Sequence, residues 1–264
     1  MRILPKTSRD FVARFFLSLT SLAFSMALFL PQARAINIPK NLSFHDLSDV
    51  TQILGHNTAT KFLSNPYALG GHSGFELGLS TEFIDTTDLS DLGAGTGKQS
   101  SFQYNRITIG KGLYDDFDVF VHFVPFSNSN EISEYGALMK WMFYQAKSLP
   151  LSFSAVAHYN TIDIQDTFDN EILGWDLMGG INLNHFGLYW GGGGQKARSS
   201  FSNKILNTSD PQIQLSSSSN TFITRSLQSH TFVGLQIELS SIFIAAEIDR
   251  YEQPVYSAKI GVRF

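Results

Sequence analysis

Few residues of this 264-residue chain have the types and spacing that chemistry requires. Its seven histidines are scattered, with no His-Glu-x-x-His pair, so most read as single rim or lumen residues of the fold argued below. Cysteine is absent, which removes thiolate metal sites, disulfides and a lipid-anchored cysteine. Gly93-Ala94-Gly95-Thr96-Gly97-Lys98 has the composition of a phosphate loop. However, Leu92 stands where the first glycine belongs, Gln99 follows the lysine, and no strand-loop-helix setting surrounds it. The segment reads as an outer loop. Asp85, Asp88 and Asp91 are spaced to hold a divalent cation, with solvated loop charge as the simpler reading. Trp190 followed by Gly191 to Gly194 reads as a strand end where backbone crowds backbone, not as a ligand cradle. No cofactor, metal or catalytic motif emerges, and the chain is read as cofactor-free and non-enzymatic.

The positioning elements are strands. Phe75, Leu77, Leu79 and Phe83 share one face of a period-two segment, with Glu76, Gly78, Ser80 and Glu82 on the other. Phe117, Val119, Val121 and Phe123 likewise oppose Asp118, Phe120 and His122. Tyr135, Ala137, Met139, Trp141 and Phe143 stand opposite Lys140, and Leu151 to Tyr159 opposes Ser152, Ser154 and His158. Leu173 to Leu183 opposes Asp176 and Asn182; Val233 to Leu239 opposes Gln236 and Glu238. Ile242 to Ile248 opposes Glu247 and Asp249. With Ser101 to Gly110, whose facing is ambiguous, the short Phe186 to Gly193, and Val255 to Phe264, the expected count is ten, within a range of eight to twelve. Connections alternate in length: Thr86 to Ser100, Asn160 to Glu171 and Gln195 to His230 are long, while Lys111 to Asp116, Asn184-His185 and Ser240-Ser241 are short. The stretch Gln195 to Gln228 reads as a solvated outer loop, within which Ile213, Leu215 and Phe222 could extend the hairpin.

Residues 1–35 read as an export signal. Arg2, Lys6, Arg9 and Arg14 lead, Phe15 to Leu30 is uncharged and largely apolar, and Ala33-Arg34-Ala35 places the mature start at Ile36. Its removal leaves 14 basic and 22 acidic residues, a net charge of −8, with no electrostatic case for nucleic acid. No later segment approaches 18 consecutive apolar residues, and a bilayer-spanning chain without such helices must close into a barrel. The expected fold is therefore all-β: a closed antiparallel transmembrane β-barrel over residues 72–264, with short periplasmic turns, long outer loops and both termini in the periplasm. Trp141, Trp175, Tyr135 and Tyr256 fit its aromatic girdles.

The last strand, Tyr256-Ser257-Ala258-Lys259-Ile260-Gly261-Val262-Arg263-Phe264, alternates and ends on phenylalanine. Together with the export signal and the alternation, it resembles bacterial outer-membrane β-barrel proteins. That resemblance implies the barrel assembly machinery as a partner, reading Tyr256, Ile260, Val262 and Phe264, and outer-membrane lipids and lipopolysaccharide as surroundings. Enzymes of that class fit poorly. Lipid A deacylases use His-x-Ser on one strand, where this chain has His158-Tyr159-Asn160. Omptin-like proteases place acids and an Asp-His pair at the outer rim, whereas Asp115-Asp116 falls in a periplasmic turn.

Residues 36–71 do not alternate. Leu47, Val50 and Leu54 suit one face of a short helix beginning near Ser43 or Asp46, and Asn65-Pro66 and Gly70-Gly71 then break the chain. The segment is either a periplasmic arm or rim helix, or a plug in the lumen. About 25 residues of it faintly resemble the hatch of fatty-acid-transporter barrels. The strand phases make Glu76, Glu82, Asp118, His122, Lys140, His158, Asp176, Glu238, Glu247, Lys259 and Arg263 the candidate lumen lining, with Asp249 and Arg106 as further members. Such charges either pair into a network that closes the lumen or line a narrow, acid-biased passage for small solutes. The leading expectation is a small passive channel or transporter. The alternative is a closed structural or adhesive barrel acting through its outer loops. Oligomeric state is left open.

Overall fold

The computed structural model of the protein describes residues 36–96, 101–125, 132–216 and 221–264. The export segment therefore lies outside the described residues, as do Gly97-Lys98 of the phosphate-loop-like run and Ser217 to Asn220 of the expected Gln195 to Gln228 loop.

Ten antiparallel strands close into one barrel in which each pairs with its sequence neighbour and β1 pairs with β10. They are β1 Phe75–Asp85, β2 Ser101–Tyr114, β3 Phe117–Phe123, β4 Ile132–Gln145, β5 Leu151–Ile164, β6 Phe168–Leu183, β7 Phe186–Ser202, β8 Thr221–Leu239, β9 Ile242–Arg250 and β10 Pro254–Arg263. Closure is completed at the carboxy terminus, where the amides of Phe75 and Phe264 each donate to the other's carbonyl at 2.9 Å. Tyr256, Ile260 and Val262 face outward on β10, opposite Phe83, Leu79 and Leu77 of β1. The period of two sorts side chains as expected. Leu173, Trp175, Leu177, Val233, Leu235 and Ile237 are exposed on the outside, while Asp176, Gln236, Glu247 and Lys140 are buried inside. An apolar outer wall around a polar interior is the mark of a barrel solvated by lipid.

Three expectations are corrected. The Asn160 to Glu171 connection is not long: β5 runs to Ile164 and β6 starts at Phe168. Gln165 and Asp166 at φ 57° and 52° turn the chain in the left-handed conformation that suits a tight hairpin. The supposed loop from Gln195 to Gln228 is mostly strand as well, since β7 continues to Ser202 and β8 begins at Thr221. Beyond the membrane, outward positions such as Lys196 and Arg198 no longer need to be apolar, so the hydropathy signal fades although the pairing continues. Of the residues expected to extend the hairpin, Phe222 lies in β8, while Ile213 is buried in the short helix α2, Pro211–Ser216.

The third correction concerns direction. One end of the barrel, here the turn end, carries the β2–β3, β4–β5, β6–β7 and β8–β9 connections and the start of β1. The opposite, loop end carries the rest. Ile36 sits at the loop end, not with β1: its carbonyl accepts from Gln165 Nε2 at 3.0 Å in the β5–β6 turn. Leu42 exchanges backbone hydrogen bonds with Ile205 and Asn207 of the β7–β8 connection, and the Ala94 amide donates to the Lys40 carbonyl. At Gly74 the segment has reached the turn end, where its carbonyl accepts from the Gly112 amide at 3.0 Å. The described chain thus starts at the loop end and runs the length of the barrel before β1 begins.

Candidate functional site

The segment between Ile36 and Gly74 must satisfy its own backbone inside the barrel, where each unpaired amide or carbonyl is costly. Its first part does so as a helix. In α1, Phe44–Val50, Ser43 and Asp46 form a reciprocal capping box, and a π-helical turn, Thr51–His56, continues it. Leu47, Val50 and Leu54 are fully buried against inward-facing Phe102, Tyr104, Ile162, Phe168, Ile172 and Phe201. In its loop half the barrel interior is therefore an apolar core. Outside it, the Phe44 amide donates to the Asp210 carboxylate at 2.9 Å. That bond and the Gln212 amide hold the Asp210 carboxyl below the ordinary carboxylate range. The tether is therefore present above the ordinary carboxylate pKa and is lost as pH falls through the lowered value. The protection of the Phe44 amide against exchange, relative to unstructured chain at the same pH, is expected to fall in that window, and to be low at neutral pH in Asp210→Ala.

The second part, Asn57 to Leu69, has no strand partner. Wall side chains take the place of one. Asn170 Nδ2 donates to the Gly55 carbonyl at 2.9 Å, Gln195 Nε2 to His56 at 3.0 Å, and Asn160 Nδ2 and Arg106 Nη2 to Thr58 at 3.0 and 2.7 Å. Arg106 also meets Glu82 and lies 3.1 Å from Glu134. Lower down, Glu247 accepts the successive amides of Phe62 and Leu63 at 3.2 and 2.9 Å. Leu63 has φ 49°, and the paired amides of such a turn form a small anion nest, which offsets the left-handed backbone. Gln236 accepts from the Asn65 amide at 3.1 Å, and Asp118 from the Leu69 amide at 3.1 Å. Ser154 and Lys140 donate to the carbonyls of Pro66 and Tyr67. Lys61, the segment's buried cation, spends its donors on the Asn57 and Ala59 carbonyls and the Tyr251 hydroxyl, at 3.0 to 3.1 Å.

Glu76, Glu82, Asp118, His122, Lys140, His158, Asp176, Glu247 and Lys259 are all buried within the barrel, with Glu238 and Arg263 half-buried beside them. They fall into separate groups. Glu76 joins Lys259 and Arg263, whose guanidinium also reaches Glu238 at 3.0 Å. Asp118 pairs with Lys140 at 3.0 Å, His122 with Glu134 at 3.0 Å, and Asp176 with His158 and His230. Sequence reading missed Glu134, which it placed in an intermediate Ser127 to Glu134 connection, and Asn160, Asn170, Gln195 and His230, which it placed in the long ones. Glu134 in fact keeps the phase of Gly136, Leu138 and Lys140, so its signal was present. Of the histidines read as single rim or lumen residues, His56, His122, His158 and His230 lie inside the barrel, and His158 and His230 meet there at Asp176. Asp85 accepts from the Thr87 amide at 2.9 Å, and Asp88 accepts from the Gln253 side chain. Asp115-Asp116 lies in the β2–β3 turn at the turn end.

Fold and site together define a transmembrane β-barrel, of the kind found in bacterial outer membranes, whose lumen is filled by its own amino-terminal segment. No protein-family model matches the sequence, and no curated protein matches it. Solved structures similar in fold include the outer membrane protein OprG from Pseudomonas aeruginosa, at 12% identity, covering 76% of this chain and 99% of that one with a TM-score of 0.36. The amino-terminal β-barrel domain of Pseudomonas aeruginosa OprF matches at 12% identity, over 74% and 98% of the two chains, with a TM-score of 0.32. The attachment invasion locus protein Ail of Yersinia pestis matches at 12% identity, over 72% and 97%, with a TM-score of 0.28. These likenesses concern the fold alone. The fatty-acid-transporter likeness gains nothing from them.

Proposed function

We propose that the protein is a plug-gated channel of the outer membrane, passing small solutes when the segment from Ile36 to Gly71 leaves the lumen. Export through a cleaved signal, insertion among lipid and lipopolysaccharide, and recognition of β10 by the barrel assembly machinery belong to the same reading. One observation carries it: the wall facing the plug's extended half is charged and polar. A permanent core gains little from such groups, because buried ion pairs repay their desolvation poorly and apolar residues of similar size do as well or better. Charged walls suit a lumen that is at times filled with water. Inward-facing Glu76, Glu82, Asp118, Glu134, Asp176, Glu238, Glu247 and Asp249 outnumber inward-facing Arg106, Lys140, Lys259 and Arg263 by eight to four, which favours cations.

The apolar loop half favours the second reading, a closed barrel acting through its loops, since Leu47, Val50 and Leu54 are buried as deeply as in a soluble core. Planar-bilayer recording of refolded protein separates the two. Under the channel reading the intact chain conducts rarely, and deletion of residues 36–66 gives steady, cation-selective current. If neither that variant nor intact protein in mild urea conducts, the barrel is closed and the loops carry its function.

A further inference from the structure

Three lumen side chains come together in close ion-pair contact but without a hydrogen bond between them. His158 on β5, Asp176 on β6 and His230 on β8 bring one ligand atom each to within 4.8 Å of one another, all three residues buried. His230 Nε2 lies 2.8 Å and His158 Nε2 3.5 Å from the Asp176 carboxylate. Neither approach has the alignment of a hydrogen bond. Both nitrogens of each ring and Asp176 Oδ1 are buried without a hydrogen-bond partner. Native proteins rarely leave such groups unmet unless water or an ion fills the space between them.

The sequence has cleared room for this meeting. Asp176, Gly193 and His230 stand in one row across β6, β7 and β8. A Cβ on Gly193 would lie 2.4 Å from Asp176 Oδ1 and 1.9 Å from the Trp175 carbonyl oxygen. Opposite His158 on β6 is Gly174, where a Cβ would fall 2.4 Å from His158 Nε2. Any other residue at either position would push a donor out of the cluster. The far side of His230 is also prepared, since Nδ1 faces Asp249 at 3.7 Å and the ring stacks on Tyr251 with centroids 4.7 Å apart. A carboxylate behind a ligating imidazole fixes the ring and raises its basicity.

We propose that His158, Asp176 and His230 bind a divalent first-row transition-metal ion, with zinc the best fit. Two imidazole nitrogens and one carboxylate oxygen form a borderline donor set that suits Zn²⁺, whereas Ca²⁺ and Mg²⁺ favour all-oxygen shells. The carboxylates of Asp176 and Asp249 balance the ion's charge in a region whose nearby cation, Lys61, is already committed to carbonyls and a hydroxyl. The ion joins three strands across the glycines of β7, on the wall that faces the plug.

Refolding the full mature chain into detergent with Co²⁺ or Zn²⁺, followed by desalting, tests this directly. One ion per barrel is expected, with visible Co²⁺ ligand-field bands that Zn²⁺ abolishes. The bands disappear in His158→Gln, Asp176→Asn and His230→Gln, and persist in His185→Gln, which alters an exposed turn. Asp249→Asn weakens binding by about 10–100-fold. Heat-modifiable gel migration reports folding of each variant. Should one of the three fail to fold, Gly174→Ala provides the same comparison by displacing His158. Wild-type barrel that refolds without retaining an ion overturns the proposal, as does binding that survives in every folded ligand variant.

Discussion

Glu76→Gln is expected to lower the unfolding free energy of the refolded barrel by about 3–5 kcal/mol, the usual cost of stranding a buried charge. Glu76 has no exposed surface, and its two carboxylate oxygens are divided between Lys259 and Arg263, the latter at 2.6 Å. The glutamine keeps the shape and removes the charge, so Lys259 is left in the lumen with no carboxylate of its own. Arg263 suffers less, because Glu238 still meets it at 3.0 Å. Two comparisons identify the cause. Lys259→Met added to Glu76→Gln removes the stranded ammonium and should recover much of the loss. Glu171→Gln, which breaks an ion pair to Arg198 with both side chains nearly half exposed, should cost no more than about 1 kcal/mol. Urea unfolding in detergent or lipid, followed by tryptophan fluorescence, measures all three. A change below about 0.5 kcal/mol for Glu76→Gln would mean that water already solvates Lys259 and that the lumen at this level is wet.

The contrast between wall and plug explains what could be read in the sequence. A strand with lipid on one side and charge on the other advertises its phase at every second residue, so Glu76, Asp118, Lys140 and Lys259 could be placed inside from alternation alone. The closure of the sheet followed from the bilayer, which leaves no strand edge unpaired. Where strands leave the bilayer the outward residues become polar, and Gln195, Ser199 and His230 lost the contrast that would have marked them as inward. The route of residues 36–71 was harder still. Its extended half has no periodicity, because its backbone is met by side chains drawn from strands between β2 and β9 at sequence separations of 47 to 185 residues. Local pattern does not encode such partners. The meeting of His158 with His230 has the same character, depending on a register that places Gly174 and Gly193 between them. Gly193 could be seen as part of a crowding point in the sequence, but not what crowded it, and Gly174 carried no signal at all.

The outer wall makes the complementary prediction. Leu79 faces outward at the middle of β1, four residues from Phe75 at the turn end and four from Phe83 towards the loop end. Its cross-strand neighbours are Ile260 on β10 and Ile107 on β2, and Ile260 in turn adjoins Ile244, which adjoins Ile237. This isoleucine belt carries no polar atom that could greet a charge. Leu79→Arg is therefore expected to destabilise the folded barrel by about 2–4 kcal/mol, the midplane cost of a guanidinium on the lipid face. The same residue placed near the rim tests depth rather than bulk. Gln103→Arg on β2, opposite Phe83, should cost only about 0–1 kcal/mol, since its side chain can reach the interface. Equilibrium unfolding in lipid vesicles gives both values. Equal costs at the two positions would place the membrane band away from Leu79 and shift the bilayer along the barrel. A negligible cost at Leu79 would remove lipid from that face altogether and leave the apolar wall to be covered by protein.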